Sequence, residues 1–145
     1  MTALIHRLRK EEKGLTLIEL LAVIVIIGII AAIAVPLITG MLDKTKDNAR
    51  VATANQLFEA AKLRSIAINN GELKESHSLA DLIGDEYIQA GLTDPKTGKS
   101  FGAGTTVNLD KINSTEPVVS LAVDGDTFTY TVEELTKSTA TAKAP

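Results

Sequence analysis

Nineteen consecutive residues, Leu20 to Ile38, carry no charged side chain. Leucine, isoleucine and valine dominate the run, and Gly28, Pro36 and a few alanines are the only interruptions. The hydrocarbon core of a bilayer is crossed by about 20 apolar residues in a helix, so the run is a membrane span by length. A buried core helix is the competing reading. A helix apolar on every side needs more surrounding protein than a 145-residue chain offers. Glu19 stands directly before the run. A carboxylate at the centre of a span costs roughly 2.5–3.5 kcal/mol on insertion scales and less near an end, and it marks a functional site with a partner to be found. No Lys or Arg lies between Leu15 and Leu42, so the partner must come from elsewhere. The alternative is a glutamate that snorkels to the headgroup level.

The residues before the run form a short basic leader ending in Gly14, followed by Leu15, Thr16 and then Glu19. With Pro36 near the end of the span, this set over about residues 7–40 resembles the class III signal peptide of type IV pilins and type II secretion pseudopilins. The resemblance implies cleavage by prepilin peptidase after Gly14 and N-methylation of Leu15. It implies that Thr16 and Glu19 serve assembly, with Glu19 pairing to the new terminal amine of its own or a neighbouring subunit. It also implies that the segment from Gly28 to Pro36 is where the helix loosens inside a filament. Pro36 removes one backbone hydrogen bond and is expected to kink the helix, although proline and glycine are ordinarily tolerated in spans.

Charge and composition narrow the remaining choices. The leader sets Arg7, Arg9, Lys10 and Lys13 against Glu11 and Glu12, so of the whole-chain charge of −3 the part after Gly14 holds −5. An acidic domain gives no electrostatic reason to bind nucleic acid. There is no cysteine, so the domain must hold itself by packing alone. Many Gram-negative pilins carry a C-terminal cysteine pair, and the chain departs from them here. An ordinary secretory signal has a shorter apolar region ending at small residues. Ala32-Ile33-Ala34 supplies such a pattern inside the run, and a conventional cut stands as the alternative. Lys and Arg number four before the span and three just after it (Lys44, Lys46, Arg50), a small bias. A cytoplasmic N-terminus therefore rests on the resemblance.

Beyond the span the chain is free of proline and glycine from Met41 to Asn69. Val51, Ala54, Phe58, Ala61, Ser65 and Ile68 recur at helical spacing, and Leu57 and Leu63 widen the stripe. Lys46, Asp47, Arg50, Glu59 and Lys62 are assigned to the other faces. One helix is thus predicted from Leu15 to the stop at Asn69-Asn70-Gly71. Residues 72–104 read as a connection with little regular structure. Within it Ser78 caps one or two helical turns to Ile83, with Asp81 three residues on, and Tyr87 and Ile88 dock the end. Thr93 to Gly98 is a turn by composition. Strands are predicted at Thr105–Leu109, Val118–Val123 and Thr127–Val132, with Asp124-Gly125-Asp126 as a hairpin turn.

The predicted fold is α+β and pilin-like: a long N-terminal helix whose inner half is transmembrane, packed on a small antiparallel sheet of about three strands. The expected organisation is a leader over 1–14, a transmembrane and assembly helix over 15–42, a globular head over 43–136 and a flexible tail over 137–145. No catalytic residue, metal or cofactor is expected. Gly98-Lys99-Ser100 lacks the earlier glycine of a phosphate loop, because Thr93 stands there. His77 reads as a solvated loop histidine. Asp94, Asp124 and Asp126 read as turn residues, with a late-loop calcium site as the variant some pseudopilins show.

The expected function is that of a structural subunit of a type IV pilus-like filament, not an enzyme. Its implied partners are copies of itself, prepilin peptidase, an assembly ATPase, a platform protein and the membrane. It is expected to be a single-pass membrane protein before assembly and part of an extracellular filament after it. The alternatives are a pseudopilin of a secretion or competence system, or a single-pass membrane-anchored binding protein.

Overall fold

A computed structural model describes the backbone of residues 2–137 and the side chains of residues 16–137. Helix α1 runs from Thr2 to Ile68. Contacts divide the chain between Leu42 and Asp43 into two units, and α1 contributes to both.

The first unit is the inner part of α1. Its large apolar side chains from Leu17 to Leu42 are exposed along the whole stretch. Thr39 returns its hydroxyl to the Val35 carbonyl at 2.8 Å, beside Pro36. The helix runs unbroken through Gly28 and Pro36.

The second unit is the outer part of α1 packed on a four-stranded antiparallel sheet. After α1 come β1 (Ser76–Ser78), α2 (Leu79–Gly84) and β2 (Thr106–Asn108). A single 3-10 turn follows at Leu109–Lys111, then β3 (Val119–Val123), β4 (Asp126–Tyr130) and α3 (Val132–Lys137). The strand order is β1-β2-β3-β4, a meander. The architecture is α+β and pilin-like in layout, as predicted, with one strand more than expected. The extra strand is β1. Ser76-His77-Ser78 has no run of alternating apolar residues to announce it, and it exists because Ser76, His77 and Ser78 pair with Asn108, Val107 and Thr106.

Val51, Ala54, Leu57, Phe58 and Ala61 of α1 are buried against Val107, Val119, Leu121 and Tyr130 of the sheet, with Leu82, Leu109 and Leu135 closing the ends. Burying each Leu, Val or Phe contributes roughly 1.5–3 kcal/mol, which replaces the disulfides this domain lacks. The sheet's other face is a field of small polar groups. Ser78, Thr106, Ser120 and Thr129 stand in register across all four strands.

Two members of the predicted stripe lie outside the core. Leu63 is exposed because it sits about half a helical turn from Phe58 and Ala61, on the opposite face. Ile68 lies at the end of the helix and is also exposed. The helix stops where Asn70 and Gly71 take left-handed φ of 52° and 91°. The Gly71 amide then reaches back to the Ile66 carbonyl at 3.0 Å, the six-to-one closure of a helix C-terminus. Ser65, buried on the stripe, hydrogen-bonds the Glu72 and Lys74 carbonyls and the Lys74 amide, fixing the chain as it leaves the helix.

Helix α2 has its reciprocal cap as predicted. Ser78 Oγ accepts from the Asp81 amide, and the Asp81 carboxylate accepts from the Ser78 amide. The hairpin turn is two residues, Asp124 and Gly125, both at positive φ, closed by the pair Val123 and Asp126. The predicted last strand extends to Val132, but β4 ends at Tyr130 and Val132 opens α3. Thr131 and Glu134 form a second reciprocal cap there, which outcompetes continued strand. Of the tail predicted over 137–145, Lys137 is instead the last residue of α3, and Ser138 onward lies outside the described residues.

Candidate functional site

The predicted site residues all lie on the inner part of α1. Gly14 and Leu15 fall in the helix, outside the residues whose side chains are described. Thr16, Glu19, Leu20 and Val23 follow the helical spacing of one face and together line a shallow open depression. Glu19 is exposed and is the only charged residue from Thr16 to Leu42. The helix from Thr16 contains a stretch of mean hydropathy 3.2, none of it buried within the chain, and is long and apolar enough to cross a membrane. Its surface requires an apolar partner, lipid or other helices, that the described residues do not supply.

Among the described residues, nothing requires a glycine at position 28. A Cβ built there meets no atom within 4 Å, and the same holds at Gly40. Neither position has a positive φ. A mid-helix glycine lowers stability by ~1 kcal/mol relative to alanine, so packing within the subunit does not explain it. Small residues in apolar helices allow a neighbouring backbone to approach closely.

The titratable groups of the second unit are structural in their geometry. Arg50, assigned by the sequence to an outward face, is buried. Its guanidinium meets Asp94 through two 2.6 Å hydrogen bonds and lies 3.9 Å over the Phe128 ring. Asp94 also accepts from the Thr97 amide and hydroxyl, each at 2.9 Å. These bonds, Arg50 first, hold the Asp94 carboxyl at about 2, and the same pairing raises Arg50. Burial pushes the Tyr130 hydroxyl up to about 12, and that hydroxyl has no hydrogen-bond partner among the described residues. The bidentate pair occupies both oxygens of Asp94, the first of the three late-loop aspartates. Asp124 pairs with Lys99. Among the described residues, no three His, Cys, Asp or Glu side chains come together in a way that would hold a metal ion.

His77 is not solvated, as the sequence reading has it, but buried in β1. Its Nδ1 stands 2.7 Å from Arg64 Nη1 and its Nε2 3.2 Å from the Lys74 carbonyl. Arginine only donates, so Nδ1 accepts and Nε2–H donates. Arg64 in turn reaches Asp85 at 2.6 Å. Both ring nitrogens are thereby committed to the fold. Gly98-Lys99-Ser100 closes the turn after Asp94, with Gly98 donating to the Asp94 carbonyl, and no helix follows it.

An α+β head on an apolar, membrane-length helix defines a protein with a pilin-like layout. Residues 9–35 match the prokaryotic N-terminal methylation motif, the class III signal peptide of type IV pilin-like proteins. The matched segment contains Gly14, Leu15, Thr16, Glu19 and Gly28 and ends just before Pro36. No solved structure matches the chain.

Proposed function

We propose that the chain is a structural, non-catalytic subunit of a type IV pilus-like filament. Prepilin peptidase cuts after Gly14 and methylates Leu15, and the subunit rests in the membrane with its N-terminus in the cytoplasm. An assembly ATPase and a platform protein then drive it into an extracellular fibre of identical copies. The observation that carries this reading is a bare apolar helical segment in a chain whose head closes its own core, together with the methylation motif. Lipid covers that helix before assembly and sister helices cover it afterwards. Gly28 and Pro36 mark the segment that loosens as the helices pack.

Glu19 carries the register. Cleavage makes Leu15 a cationic amine one helical turn away, supplying the partner missing from the sequence. In apolar surroundings two unpaired charges are costly, so a subunit that docks its amine on a neighbour's Glu19 is held at one axial position. Glu19→Val tests this in cells. Membrane level and cleavage at Gly14 are expected to persist while sheared surface filaments are lost. Abundant normal filaments from this variant would defeat the pairing.

A further inference from the structure

Asn70-Gly71 is the only Asn-Gly pair in the chain, and it sits where α1 ends. Asn70 is exposed, and its side-chain amide makes no hydrogen bond among the described residues. A Cβ on Gly71 would meet nothing within 4 Å, so nothing crowds the Gly71 amide from that side. We propose that Asn70 is a site of spontaneous deamidation whose rate is set by opening of the α1 C-terminus. This inference stands apart from the filament reading and needs no enzyme.

The chemistry uses water alone. The Gly71 backbone nitrogen loses its proton and bonds to Asn70 Cγ, and ammonia leaves. Water then opens the resulting cyclic imide at either carbonyl, giving aspartate or isoaspartate. Glycine favours the first step because it has no side chain beside the attacking nitrogen and adopts the backbone angles the ring needs.

The closed structure restrains that step. The Gly71 N–H donates to the Ile66 carbonyl, and both residues are held at left-handed φ. Glu72 N–H bonds the Asn69 carbonyl, and Ser65 ties down residues 72–74 behind it. Asn69 is a poor site, because its side chain donates to Ser65 Oγ at 3.3 Å and Asn70 follows it. Reaction at Asn70 therefore waits for local opening, which at helix ends costs little free energy. The product carries a new negative charge at a helix C-terminus, where the helix dipole opposes it. Isoaspartate also lengthens the backbone, so the bond from Gly71 to Ile66 cannot re-form as before.

The test incubates the full chain in detergent micelles at mildly alkaline pH, beside the same chain in urea. Trypsin releases the peptide Ser65–Lys74, whose mass reports conversion of amide to acid. The native chain is expected to gain that mass in this peptide first, as two isomeric products, about 3–10-fold more slowly than the chain in urea. Ser65→Ala is expected to narrow the gap, and Asn70→Gln to abolish the gain. Hydrogen exchange at the Gly71 amide of the unaltered chain should show opening that accounts for the gap, whatever the fate of the Ser65 variant. No conversion in the native chain while the urea sample converts would overturn the proposal. So would earlier conversion at Asn69 or Asn113, or native and urea rates that are equal.

Discussion

Arg50 and Asp94 meet in parallel, Nε to Oδ1 and Nη2 to Oδ2, each at 2.6 Å and closed to solvent. They are 44 residues apart in sequence. The pair fastens the first buried turn of the head's helix to the loop that precedes β2, and Lys96 adds a second, more exposed link to Asp47 at 2.8 Å. Removing one partner leaves a buried charge unpaired, so Arg50→Met or Asp94→Asn is expected to destabilise the head by about 3–5 kcal/mol. The double change to Met and Leu should recover much of that loss. Urea denaturation of the four proteins checks this, and a double variant no better than either single one contradicts it.

The same pair predicts acid sensitivity. The Asp94 carboxyl lies below its ordinary value, at about 2 in the folded head. A depressed carboxylate contributes stability that is complete above its unfolded value of about 3.9 and is lost as pH falls through the folded one. The head should therefore lose about 2 kcal/mol between pH ~4 and ~2 from this group. Asp94→Asn should flatten that part of the stability profile followed by circular dichroism. An unchanged slope would assign the acid transition to other carboxylates.

Gly28→Ala adds a methyl group that meets nothing among the described residues and removes a helix-weakening residue. Membrane level and cleavage are expected to stay normal, and the yield of sheared filaments to fall severalfold. Unaltered yield in immunoblots of the sheared fraction would show that neither close helix approach nor loosening at Gly28 matters for assembly.

Much of this molecule is legible wherever a local rule applies. The apolar run, the Ser78-to-Asp81 cap and the positive-φ turn at Asp124-Gly125 each depend on neighbours in sequence. Helix α3 was also open to that reading, since Thr131-Val132-Glu133-Glu134 is a capping signature, but the alternation of Phe128, Tyr130 and Val132 masks it. Arg50 and His77 were not legible. Their burial depends on Asp94, Arg64 and the Lys74 carbonyl, groups that only the folded chain brings to them. Strand β1 exists by pairing to β2 and not by its own pattern. Of the candidate site, the positions of Thr16, Glu19, Gly28 and Pro36 on one continuous helix follow from spacing, whereas the assembly role proposed for them requires a second subunit.

The most direct measurement is the mass of the subunit recovered from the cell surface. Cells are sheared, the fibres sedimented, and the intact protein and its N-terminal peptide weighed. The fibres are expected to consist of a chain that begins at Leu15 and carries one additional methyl group on its amine. A chain that stays in the membrane beginning at Met1, or one released after a cut at Ala34, would contradict it.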